Sequence, residues 1–163
     1  MQVLRVKDRD TVLEIGFEDL IKYHGRFYIG GVALAFKMME IGFKVLCPGS
    51  IPERDHISFT TGLGLNGPGV IDAVEMVTRA KTRDQLITDC AAVREKPGPM
   101  APDGVGKYYF ELRYMDKYLG LAVKDYVIPT EFLTLSQKVH KQEITDSERI
   151  RLQQIKEELA AQI

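Results

Sequence analysis

Two titratable side chains occupy positions from which the chain could do chemistry. His24 ends a short helical run beside Gly25, and Asp72 sits inside an otherwise apolar helical segment, Val70-Ile71-Asp72-Ala73-Val74. A neutral imidazole serves as a proton acceptor or a metal ligand near neutral pH, and a buried carboxyl serves as a general acid or base. Asp72 either lies on the exposed stripe of its helix or is buried against a cation such as Arg26 or Lys37. His56, after Pro-Glu-Arg-Asp, and His140, on a polar helix face, read as solvated. Cys47 and Cys90 lack a Cys-x-x-Cys partner and read as small buried hydrophobes. Cys47 precedes Pro48-Gly49 at the end of an expected strand, a position from which it could meet His24 as a thiol–imidazole pair.

Gly62-Leu63-Gly64-Leu65-Asn66-Gly67 matches G-x-G-x-x-G between an expected strand and an expected helix, with Asp89 about twenty residues on. Pro68 follows the last glycine at once and marks the helix start. The glycines therefore precede the helix rather than packing inside its first turns, against a dinucleotide site. Two readings stay open. One is a turn needing unusual backbone angles; the other is an anion site of free amides at Asn66, Gly67 and the helix start.

Elements must position these groups. Residues 2–7 and 11–15 alternate as short strands, and Phe17–His24 has helical spacing. Gly30-Gly31 opens a buried helix, Val32–Ile41, with Gly42 as its expected cap. Phe43–Cys47 and His56–Thr61 read as strands, Pro68–Ala80 as a helix, and Gln85–Asp89 as a further strand. Residues 94–106, rich in proline and glycine, form a loop. Lys107–Tyr114 and Tyr118–Lys124 flank a turn and make a hairpin. Helices follow from Glu131 to Lys141 and from the capping box Thr145-Asp146-Ser147-Glu148 to Ile163. The expected class is α+β: a mixed sheet with a late antiparallel hairpin, packed by helices. One domain over 1–163 is expected, with a helical arm over about 130–163. The stripe Leu152, Ile155, Leu159 on the last helix either closes the chain's own core or packs on a second copy of the chain.

Phe17–Lys37, FEDLIKYHGRFYIGGVALAFK, resembles the opening of the FmdE-like family, named for a component of formylmethanofuran dehydrogenase. That family runs from a short helix into H-G-H-x-C-P-G and then a helix beginning G-L-A-L-G-Y-R. His24-Gly25 and Gly31–Lys37 follow this pattern. Arg26 stands at the second histidine, and Tyr28 or Ile29 at the cysteine. A second block, C-x-x-D-A-I followed by T-G-C-T, is matched by Asp72-Ala73-Val74 and Thr78, with Gly69, Arg79 and Ala80 replacing its first cysteine, the glycine and the next cysteine.

The resemblance implies a dimer and a small-molecule pocket at His24, Arg26, Tyr28, Asn66, Gly67, Asp72 and Thr78. It also implies a zinc-like metal site of which His24 alone remains, where zinc takes three or four ligands. The expected function is binding of a small, anionic ligand, or service as an accessory to a redox enzyme. The alternative is an enzyme using His24 with Cys47 or Asp72.

Composition narrows the classes. Twenty-two basic against 23 acidic side chains give a net charge of -1, without the positive footprint of a nucleic-acid binder. The charged start MQVLRVKDRD is unlike a signal peptide, and no apolar stretch is long enough to span a bilayer. A cytoplasmic setting is expected.

Overall fold

The structure, a computed structural model, describes residues 2–163. Strands β1 (Val3–Asp8) and β2 (Thr11–Gly16) form a hairpin in register from Val3↔Gly16 to Asp8↔Thr11. Leu4, Val6 and Ile15 face inward from it. Helix α1 (Phe17–His24) follows directly, with the Asp19 carboxylate accepting from the Gly16 amide 2.9 Å away. Gly25, at φ +91°, breaks the helix in a conformation that side-chain-bearing residues rarely adopt.

Helix α2 runs from Ile29 to Leu46, longer than the expected 32–41. Two expectations fall here. Gly42 is not a cap, and Phe43–Cys47 is not a strand but the last helical turn and its end. The reason lies across the core. A Cβ at Gly42 would come within 2.0 Å of Leu112 Cδ2, so the glycine makes room for a sheet residue while the helix continues.

Strand β3 (Ile57–Thr61) leads through the turn at 62–67 into α3 (Pro68–Thr78). Pro68 holds the first helical position, as its missing N–H allows. Arg79 ends the helix in the left-handed region, at φ +59°. Strand β4 is only Leu86–Ile87. The late hairpin is β5 (Tyr109–Tyr114) and β6 (Lys117–Ala122), turned at Met115-Asp116. The sheet order is β4-β3-β5-β6, with β3 and β4 parallel and the other pairs antiparallel. Helix α2 lies on β5 and β6, and α3 lies on β3 and against α1 and α2. The core between them includes Val32, Met39, Phe59, Val74, Phe110 and Leu112. This is the expected α+β class.

Arg83 staples the region beyond α3. One of its terminal nitrogens donates to the carbonyls of Arg54, Ile57 and Thr78 at 2.7–2.9 Å, and the other to that of Asp55 at 2.9 Å. Burial pushes its guanidinium below the usual arginine range, which Asp55 and Glu75 only partly offset.

The arm is α4 (Thr130–His140) and α5 (Asp146–Gln162). Thr145 caps α5 by accepting from the Glu148 amide, and Glu148 returns a carboxylate to the Thr145 amide. Leu152, Ile155 and Leu159 bury against Leu135 and Phe132, and Phe132 also touches the main core. The stripe that left a second copy of the chain open as its partner is used within the chain.

Candidate functional site

Helices α1 and α3 lie side by side, and this pairing brings His24 to Asp72. The His24 Nδ1 is 2.7 Å from an Asp72 carboxylate oxygen. The imidazole is almost wholly buried, while Asp72 is half-exposed. The partner of Asp72 is therefore neither Arg26 nor Lys37. Arg26 pairs with Glu157 at 2.7 Å, and Lys37 with Glu40 at 2.8 Å. The other imidazole nitrogen, Nε2, is buried with no hydrogen-bond partner among the described residues.

The remaining candidates do not gather around this pair. Thr78 is fully buried, and its hydroxyl is spent on its own chain, donating to Val74 and accepting from the Ala80 amide. Cys47 lies at the far end of α2 from His24, across about 25 Å of helix, so the thiol–imidazole pair does not form. Burial pushes the Cys47 thiol up, with Lys117 opposing in part. Burial and the nearby Asp103 and Asp89 do the same to Cys90. Neither has the lowered pKa of a reactive thiol.

Among the described residues, no three of His, Cys, Asp or Glu are grouped so as to hold a metal. His24 has Asp72 beside it and no third donor, which does not fit a zinc site.

The glycine loop is a turn. Gly62 is bonded on both sides, its amide to the Tyr109 carbonyl and its carbonyl to the Lys107 amide, and a Cβ there would meet the Lys107 and Tyr109 carbonyls at 2.5–2.6 Å. The Asn66 amide donates to Asp103 at 2.7 Å. Asp89 accepts from the Ala91 amide and caps a short turn, far from the role a dinucleotide site gives it.

Arg26, Tyr28 and Asn66 meet elsewhere. With the arm they line a cavity of about 760 Å³ between the body and helices α4 and α5. That volume is in the range of drug-sized ligand sites. Its walls include Leu63, Pro68, Ala101, Phe132, Val139, Ile150 and Leu152, and Leu65 and Phe27 are exposed at it. A smaller recess of about 90 Å³ shares Tyr28, Asn66, Tyr108 and Lys156 with it and includes Gly67. His24 and Asp72 line neither space.

Lys156 and Tyr108 are the residues that sequence reasoning missed. Lys156 is 8% exposed. Its ammonium donates to the Phe27 carbonyl at 3.0 Å and lies 4.1 Å and 4.9 Å from the ring centroids of Phe27 and Tyr28. No carboxylate pairs with it among the described residues, and burial pushes it below the usual lysine range. Tyr108, 5% exposed, has its phenol pushed up by burial and by Asp103. The signal for Lys156 was present: residues 152, 155, 156 and 159 follow the i, i+3, i+4, i+7 spacing of a buried helix face.

No helix among the described residues is long and apolar enough to cross a membrane. Compared with family models, curated proteins and solved structures, the chain finds no match in any of the three.

Proposed function

We propose that the chain binds a small organic ligand in the cavity between its body and its C-terminal arm, as a divergent relative of the FmdE-like family without that family's metal–thiolate chemistry. The observation that carries this reading is the cavity itself: about 760 Å³, walled largely by apolar side chains, with a few convergent polar groups. The arm adds one whole wall, and Lys156 and Gln153 bind it to the Arg26–Tyr28 segment through the Phe27 and Arg26 carbonyls. Binding by a cytoplasmic homodimer, on its own or in service of a redox enzyme, belongs to the same proposal. A dimer seam would use faces other than the α5 stripe, which is buried within the chain.

The test is a titration with the neutral fluorophore N-phenyl-1-naphthylamine. One saturable site per chain is expected. Ser136→Trp, which fills the cavity from α4, abolishes it. Saturable binding that survives Ser136→Trp places the ligand elsewhere and sinks the reading.

A second reading, acid–base catalysis by His24 with Asp72, draws on their 2.7 Å contact. It is the weaker, because neither residue lines the cavity and the free imidazole nitrogen is buried. A substrate turned over at a rate that His24→Ala abolishes, without loss of fold, would reverse that order.

A further inference from the structure

The recess beside the cavity is built unlike the cavity itself. Helices α2 and α3 begin there side by side, in van der Waals contact: a Cβ on Gly69 would come within 2.4 Å of the Tyr28 carbonyl, and one on Gly31 within 3.2 Å of the Val70 amide. Gly30, Gly31, Gly67 and Gly69 line the recess, and with no side chains they present backbone to it. The amides of Gly30 and Gly69 fall in the first turns of their helices, where no intrahelical carbonyl is available, and no other backbone carbonyl takes them among the described residues. Two helix starts so placed direct partial positive charge at one spot.

Lys156 lines the same recess from the third side, buried and without an acid partner. A lysine is seldom buried unless paired. The carboxylates nearby are already engaged. Glu157 is held by Arg26, which keeps it below the usual carboxylate range. Asp103 is pushed up by burial, but bonds from the Gly106 and Val105 amides and from Asn66 outweigh this and leave it low. Among the described side chains that line the recess, Lys156 alone is charged; the C-terminal end of α5, at Leu159 and Ile163, also borders it.

We infer that the ligand is an amphipathic organic anion, its apolar body in the larger cavity and its acidic head in the recess against Lys156 and the starts of α2 and α3. This rests on the ligand-binding reading above and deepens it. Tyr108, which lines both spaces, offers a phenol at the junction between body and head.

The test compares two probes of one shape, 1-anilinonaphthalene-8-sulfonate and the neutral N-phenyl-1-naphthylamine, on wild type, Lys156→Met and Lys156→Arg. Folding of each is checked by its far-ultraviolet circular dichroism melt. The sulfonate is expected to bind wild type about tenfold more tightly than the neutral probe or better. Lys156→Met removes that preference, so that the two probes bind the variant with similar affinity, while Lys156→Arg retains most of it. If the neutral probe binds and the sulfonate gains nothing, or keeps its gain in Lys156→Met, the anion site is overturned and the cavity reading stands. If neither probe binds wild type, both fall. Should Lys156→Met fail to fold, the wild-type ratio of the two affinities decides.

Discussion

The Lys156 ammonium lies 3.0 Å from the Phe27 carbonyl oxygen and 4.1 Å from the centroid of the Phe27 ring. Residues 129 positions apart are thereby joined, and the arm is fixed over the segment that links α1 to α2. One hydrogen bond and a cation–π contact contribute roughly 1–3 kcal/mol. Desolvating an ammonium with no counter-charge costs several.

Lys156→Met is therefore expected to leave the fold at least as stable as wild type, by up to about 1–2 kcal/mol at neutral pH. The pH dependence has a definite sign. Burial lowers the folded-state pKa of Lys156 below its ordinary 10.5, so the unfolded chain binds the proton more strongly. The penalty on wild type is full below the folded pKa and fades as pH rises toward 10.5. Denaturant melts of the two proteins from pH 7 upward should converge; a gap that widens with pH would contradict the burial of an unpaired ammonium.

Gly42→Ala is expected to destabilise, although alanine is the better helix former by about 1 kcal/mol. Its Cβ would overlap Leu112 Cδ2, and Leu112 is 1% exposed with little room to move. Overpacking of this kind costs about 1–3 kcal/mol. The double variant with Leu112→Ala should lose less than the two single changes added together. Additive losses in urea melts would mean that the two residues do not touch.

The same contact explains what the sequence made legible and what it hid. Helices α1, α3 and α5 are marked by local signals: the break at Gly25, Pro68 at the first position, and the Thr145–Glu148 box. The late hairpin is marked by its alternation. Helix α2 is read short because a glycine ahead of Phe-Lys-Val-Leu looks like a stop and a strand, whereas Leu112, seventy residues later in the chain, requires that glycine inside a helix. The His24–Asp72 neighbourhood was legible from the two motif blocks, but their direct contact depends on how α1 lies on α3. Of the cavity and its recess, only Arg26, Tyr28, Asn66 and Gly67 were legible as pocket residues. The cavity's walls come from five separated stretches of chain, and its buried lysine occupies a slot that the spacing of α5 marks as apolar.

Arg83→Lys is expected to cost about 2–4 kcal/mol. The guanidinium serves carbonyls of Arg54, Asp55, Ile57 and Thr78 from two fixed nitrogens, and a single ammonium cannot reach all four. Thermal melts decide. A shift indistinguishable from zero would mean that these carbonyls find water instead.

Removing one partner of the His24–Asp72 contact leaves a buried imidazole with neither nitrogen bonded. Asp72→Ala is expected to cost about 1–3 kcal/mol, and Asp72→Asn less, because an amide oxygen still accepts from Nδ1–H. Equal losses in the two variants would show that charge, not the hydrogen bond, holds the pair. Plasma mass spectrometry on tag-free wild type and His24→Ala should give well under one metal per chain in both. About one per chain in wild type, lost in the variant, would restore a metal centre at His24.

The most direct test of the cavity's role is amide hydrogen exchange with and without saturating 1-anilinonaphthalene-8-sulfonate. Slower exchange is expected in α4, in α5 and in the segments 26–32 and 63–71, with the β1–β2 hairpin and β6 unchanged. Protection centred on other elements, or none at saturation, would contradict a ligand held between the body and the arm.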